Sequence, residues 1–274
     1  MTQAHLGPPS PPAGPSPALP DGPGAVHRRV EQVMGMPISL ALRGRHATGA
    51  EADAAWRKVL ELLNEVDHVF STYRRDSFIS RLGRGELALV DCPAEVAEVL
   101  DLGERARVAS GGAFDVRRTG PAGEVVLDPS GVVKGWAVQR ASLILDAQAD
   151  TDYCLSAGGD MVVRTAVEAS PGWRIGIEDP FDPSRLVATL PLRNGAVATS
   201  GGAHRGAHIV DPPTGQAPTA LASVTVVADD LVRADVNATA AFVLGTDALA
   251  WLGQRPGCRG LVVAADGTAS VFGT

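Results

Sequence analysis

Asp235 and Thr239 stand four residues apart in a stretch, Asp230 to Leu244, that otherwise reads as a helix. Four-residue spacing stacks two side chains one turn apart on the same helical face. A carboxylate and a hydroxyl so placed offer two hard oxygen ligands, which suits Mg²⁺ held together with substrate phosphates. The competing reading is a polar stripe facing solvent. Against it stand Ala234, Val236, Ala238, Ala240 and Ala241, neighbours that suggest a partly buried carboxylate in need of a partner. About one element upstream lies His208-Ile-Val-Asp211-Pro-Pro-Thr214-Gly215, whose histidine is a candidate general base. A lone His is more often structural, and Asp211-Pro and Thr214-Gly are ordinary turn chemistry. Together the two segments suggest metal-assisted phosphoryl chemistry on a nucleotide.

Other segments combine glycine with polar groups. Gly111-Gly112-Ala113-Phe114-Asp115 closes a helix and allows either a plain C-cap or a close approach of backbone to ligand. Asp128-Pro-Ser-Gly131-Val-Val-Lys134-Gly135 reads as a turn entering a helix, with Lys134 adding a positive charge near free N–H groups. It lacks the spacing of a P-loop. Ser156-Ala-Gly158-Gly159-Asp160 interrupts a strand, as a bulge or a close approach would. Asp179-Pro-Phe-Asp182-Pro is simplest as a turn.

These side chains need a scaffold, and the chain has the means to build one. It holds 274 residues, of which 45% are hydrophobic and 20% charged, so a globular core is expected. The net charge of −7 argues against nucleic acid as a partner. Cys92, Cys154 and Cys258 are widely spaced and odd in number, which fits free thiols better than a disulfide framework or a CxxC site. Only Lys58 and Lys134 are lysine among 24 basic residues.

Residues 1–25 hold eight prolines, four glycines and no aromatic residue, and are expected to form a disordered tail ahead of a single domain over 26–274. The tail has neither a basic start nor an apolar run, so no secretory signal is expected. No stretch is apolar enough to insert in a membrane, and a cytoplasmic location is expected.

Periodicity predicts helices over Glu51–Phe70, Pro93–Val108, Lys134–Leu145 and Asp230–Leu244. Strands are expected over Val30–Leu42, with an interruption at Met34–Pro37, and over Tyr153–Arg164, Trp173–Ile177, Leu186–Leu192 and Ser223–Val227. A final hairpin joins Gly260–Ala264 to Ala269–Phe272 through Asp266-Gly267. Without regular βαβ alternation the expected class is α+β, with mixed, largely antiparallel sheets flanked by helices.

In order along the chain, Met34-Gly35-Met36, Phe70-Ser-Thr-Tyr73-Arg-Arg-Asp76-Ser77, Gly112-Ala-Phe-Asp115 and Gly131-Val-Val-Lys134-Gly135 resemble the ApbE-like flavin transferases. Gly158-Gly159-Asp160, Ala198-Thr-Ser-Gly201, His208–Gly215 and Ala234-Asp235-Val-Asn-Ala-Thr239 extend the likeness over nearly all of the chain beyond the tail. No single segment is decisive; the order is.

The resemblance implies an FAD-binding cleft and a Mg²⁺-dependent enzyme that moves FMN from FAD to a Thr or Ser hydroxyl of an acceptor flavoprotein. Such post-translational flavinylation releases AMP. Alternatives are hydrolysis of FAD to FMN and AMP, or storage of FAD without catalysis. It further implies Asp235 and Thr239 as Mg²⁺ ligands with the Gly131 carbonyl as a third. Met34 and Tyr73 would meet the flavin or adenine rings, Ala113, Phe114, Asp115 and Asp128 would line the nucleotide, and Lys134 and Ile209 would face it. His208 would deprotonate the acceptor. Three departures from the family pattern stand out: Gln139 in place of Asp, Val116-Arg117-Arg118 after Asp115, and Pro129-Ser130 before Gly131.

Overall fold

A computed structural model describes residues 25–120, 123–202 and 209–273. The expected tail lies outside these residues except for Ala25, and so does His208. The chain runs β1 (His27–Val33), β2 (Met36–Gly44), α1 (Gly49–Phe70), α2 (Phe78–Gly83), α3 (Ala94–Ala109), β3 (Arg117–Thr119), β4 (Val125–Leu127), α4 (Ser130–Asp146), β5 (Thr151–Ala157) and β6 (Asp160–Arg164). It continues through β7 (Trp173–Asp179), β8 (Asp182–Leu192), β9 (Gly195–Gly201), β10 (Leu221–Ala228), α5 (Leu231–Leu244), α6 (Ala248–Leu252), β11 (Arg259–Ala264) and β12 (Ala269–Phe272).

Eight strands form one sheet in the order β1-β2-β5-β6-β9-β10-β11-β12, and β3-β4 and β7-β8 form separate ribbons. Each pairing is antiparallel. The α+β expectation holds. Side chains alternate between the two faces of a strand, so one sheet can serve two cores. Tyr153, Leu155 and Ala157 of β5, with Val224 and Val226 of β10, enter the large core beneath the helices. Their neighbours Cys154 and Val227 turn the other way, and with Val163 and Val197 they meet Trp173, Ile175 and Leu192 of the β7-β8 ribbon.

The helices differ in how they bury themselves. α1 sinks a single stripe, Ala52, Ala55, Val59, Leu63, Val66 and Phe70. α5 instead buries small residues on more than one side, with Ala234, Ala238, Ala240 and Ala241 fully covered. Small side chains let its backbone lie close to β9, β10 and α4. Against α4 the approach is tightest at Gly135, where a Cβ would meet Leu231 O at 3.0 Å and Asp235 Cβ at 3.2 Å.

Three local expectations need correction. The interrupted strand over Val30–Leu42 is a hairpin, turned by Met34 at φ 55° and Gly35 at φ 70°. Two successive positive φ values match the right-handed twist of the flanking strands. Tyr153–Arg164 is likewise two strands, β5 and β6, joined by Gly158 and Gly159 at φ 57° and 102°. Gly131 lies inside α4 and not in a turn before it, so the helix expected from Lys134 begins at Ser130. Just ahead of it, Asp128 Oδ1 accepts from the Ser130 N–H at 3.2 Å and the Ser130 hydroxyl at 2.6 Å.

A buried ion pair ties the ribbon to the sheet. Arg43 of β2 and Asp152 of β5 are cross-strand partners, with Nε to Oδ2 at 2.8 Å. Asp152 Oδ1 accepts from the N–H groups of Ala166 and Val167 at 2.7 and 3.0 Å, in the link from β6 to β7. The Arg43 guanidinium lies 4.3 Å from the Trp173 ring centroid and donates to Pro171 O.

Candidate active site

A cavity of about 240 Å³ opens where the first turns of α4 and the middle of α5 meet the end of β9, the β1-β2 turn and the segment between α3 and β3. α4 contributes Gly131 and Lys134; α5 contributes Asp235 and Thr239, one turn apart as the spacing predicts. Asp230 caps α5 by accepting from the Arg233 N–H at 2.9 Å. Gln139 Oε1 accepts from the Leu231 N–H at 2.9 Å, which stitches α4 to the start of α5. The register between the two helices is thereby held by polar contacts as well as by Gly135.

Asp235 is 2% exposed. Its Oδ1 lies 3.3 Å from Lys134 Nζ, while its Oδ2 is buried with no hydrogen-bond partner among the described residues. Lys134 Nζ also pairs with Asp160, whose Oδ1 accepts from the Thr199 N–H at 2.9 Å. One ammonium thus stands between two buried carboxylates. Burial pushes the Asp235 carboxyl up to about 7; the Lys134 charge pulls it down and Asp160 adds to the rise. Thr239 Oγ1 lies 3.1 Å from Ser200 Oγ at the end of β9.

The remaining walls come from turns. Ser110 Oγ accepts from the Phe114 N–H at 3.0 Å after α3 ends in Gly111 and Gly112, at φ 63° and 92°. This supports the C-cap reading, and the cap delivers Ala113, Phe114 and Asp115 to the cavity. The Phe114 ring packs where a Cβ on Gly131 would sit, at 3.1 Å from Cε2. Asp128 lines the cavity beside Arg118, Oδ2 to Nε at 3.1 Å. Met34, in its left-handed turn conformation, lines a further wall. Ile209, Val210 and Pro212 close another side, and Pro212 O accepts from the Thr119 hydroxyl at 3.3 Å. Tyr73 stands at the rim with 97% exposure, an aromatic ring with no packing partner to explain it.

Every expected site residue within the described part of the chain therefore borders one cavity; His208 lies just outside that part. Asp160 and Ser200, which carry no role in the sequence reading, contact Lys134 and Thr239. A carboxylate directly after a Gly-Gly turn was the available signal for Asp160, because such a turn fixes where the next side chain points.

The donor set bears on which metal fits. No group of three or more His, Cys, Asp or Glu side chains gathers to hold an ion among the described residues. An all-protein cage is thus not what Asp235 and Thr239 offer. One carboxylate oxygen lacking a partner and one hydroxyl a turn away fit an oxygen-seeking cation that takes its other ligands from phosphates and water.

The ApbE family model matches residues 34–120 and 117–262. Among curated relatives, the FAD:protein FMN transferase of Rhodobacter capsulatus is 34% identical over 168 residues, covering 58% of this chain and 31% of that protein. The FAD:protein FMN transferase of Klebsiella pneumoniae is 30% identical over 134 residues, covering 45% of this chain and 38% of its own length. The matched stretch thus spans well under half the length of these relatives. Among solved structures, the ApbE protein of Thermotoga maritima superposes with a TM-score of 0.79 at 22% identity, over 90% of this chain and 97% of that one. The flavinyl transferase ApbE of Pseudomonas stutzeri gives 0.77 at 23%, over 93% and 97%. With the family model matching well over half of the chain, the protein belongs to the ApbE family.

Proposed function

We propose that this protein transfers FMN from FAD to a Thr or Ser hydroxyl of an acceptor flavoprotein, with Mg²⁺ as its metal and AMP as the released product. The observation that carries this reading is the buried Asp235 Oδ2, without a hydrogen-bond partner among the described residues and one helical turn from the Thr239 hydroxyl, in a cavity bordered by Phe114, Met34 and Tyr73. Relatives named FAD:protein FMN transferase support the substrate and the transferred group.

Asp235 and Thr239, with the Gly131 carbonyl, would hold Mg²⁺. The ion supplies charge neutralisation to the diphosphate when bound. Phosphoryl transfer asks the protein mainly for positioning and electrostatics. Here the acceptor oxygen forms a bond to the FMN-side phosphorus, and the bond from that phosphorus to the bridging oxygen breaks. AMP departs with the bridging oxygen. The hydroxyl proton goes to a base, for which His208 is proposed from its sequence neighbours alone. Lys134, held by Asp160, keeps a positive charge beside Asp235 and limits how far two carboxylates repel an incoming anion. Met34 and Tyr73 offer surfaces for flat rings.

The test is incubation of the purified protein with FAD, Mg²⁺ and a flavoprotein fragment carrying a Thr/Ser flavinylation motif. Flavin fluorescence that stays with the denatured acceptor, together with AMP, is the expected result. Free FMN and AMP without labelling would indicate a hydrolase. Bound, intact FAD would indicate storage.

A further inference from the structure

Four carboxylates border the cavity, those of Asp67, Asp115, Asp128 and Asp235, against two cations, Arg118 and Lys134. Lys134 is already committed, since its ammonium pairs with both Asp160 and Asp235. Arg118 is differently placed. Its single hydrogen bond among the described residues uses Nε, on Asp128 Oδ2 at 3.1 Å, and its side chain is 37% exposed. The other oxygen of Asp128 holds Ser130 at the start of α4. The guanidinium is therefore anchored to a helix end through Nε, and among the described residues no hydrogen bond engages its two terminal nitrogens. A planar fork with donors to spare matches phosphoryl oxygens better than any neutral group does.

Resting on the reading of the cavity as a flavin dinucleotide site, we propose that Arg118 is a specificity-determining residue that binds a phosphate of the dinucleotide. It makes the site select ligands by their phosphates and not only by their rings.

The test measures affinities of FMN against riboflavin, and of AMP against adenosine, at fixed Mg²⁺. Wild type is compared with Arg118→Ala and Arg118→Lys, folding being checked by thermal melts. The expected result is that Arg118→Ala lowers one phosphate preference by about tenfold, as loss of a charged hydrogen bond does. Arg118→Lys should restore part of it. The pair that responds distinguishes the FMN-side from the AMP-side phosphate. If Arg118 served only to steady Asp128 and α4, all four ligands would weaken together; unchanged ratios would overturn the proposal. Should Arg118→Ala fail to fold, the same ratios for Arg118→Gln decide the matter. A wild type that binds none of these ligands would overturn the flavin reading as well, whereas flavin binding with unchanged ratios would remove only the role of Arg118.

Discussion

Asp235 is a carboxylate that its neighbours satisfy on one side only. Lys134 reaches Oδ1, and Oδ2 is left buried without a partner among the described residues. A divalent ion would relieve that deficit, which yields a prediction with two readouts. Asp235→Ala should lower kcat/KM by about 100-fold or more, the scale for removing one preorganised electrostatic group. It should also abolish the rise in melting temperature expected of the wild type with Mg²⁺, since a ligand bound to the folded state stabilises it. A variant that keeps its Mg²⁺-dependent melting shift would remove Asp235 from the metal site. Thr239→Ser should retain most activity and Thr239→Val should not, because the hydroxyl that meets Ser200 is the relevant group.

Between elements, the geometry of the site depends on how α4 seats against α5. Gly135 permits the close approach, and a Cβ there would press on Leu231 O and Asp235 Cβ. Gly135→Ala should therefore cost about 1–3 kcal/mol, the range for overpacking, and should reduce activity by moving Asp235. Gln139→Ala removes the acceptor for the first N–H of α5 and should destabilise by about 1 kcal/mol, comparable to losing a helix cap. Gln139→Glu keeps an oxygen acceptor there and should retain much of that stability, because an acidic group at a helix N-terminus is favourable. Denaturant melts of the three variants check these values. An unchanged midpoint for Gln139→Ala would show that water replaces the contact.

Across the whole molecule, the Arg43–Asp152 pair joins the eight-stranded sheet to the segment that launches the β7-β8 ribbon. Removing one member leaves a buried charge without its partner, so Asp152→Ala should cost about 3–5 kcal/mol. Burial opposes ionisation of Asp152, but the Arg43 guanidinium and the backbone N–H groups around Val167 outweigh it and hold its carboxyl below the ordinary value of 3.8. A depressed folded value means that this contribution is complete above pH 3.8 and is lost as pH falls below it. Acid unfolding should accordingly shift toward neutral pH when Arg43 is replaced by Met, while stability at pH 7 falls. Among the described residues no helix is long and apolar enough to cross a membrane.

Much of this was legible in the chain itself. Periodicity located the long helices and the terminal hairpin, because 3.6-residue and two-residue repeats follow directly from backbone geometry. The pairing of Asp235 with Thr239 followed from helical spacing, and a string of short motifs in order pointed to the family. Three kinds of feature were not legible. Two hairpins read as single strands, since Met34-Gly35 and Gly158-Gly159 reverse the chain through positive φ values that an apolar pattern does not register. The role of Gln139 depends on an N–H that lies 92 residues away in sequence, and Arg118 acquires its meaning only beside Asp128. Local composition decides which segments become helices and strands because those choices are made by neighbours in the chain. The small neighbours of Asp235 already suggest burial, but whether that carboxylate ends up half-satisfied and next to an ammonium is decided by segments that meet only when the core closes, and that is a property of the tertiary structure.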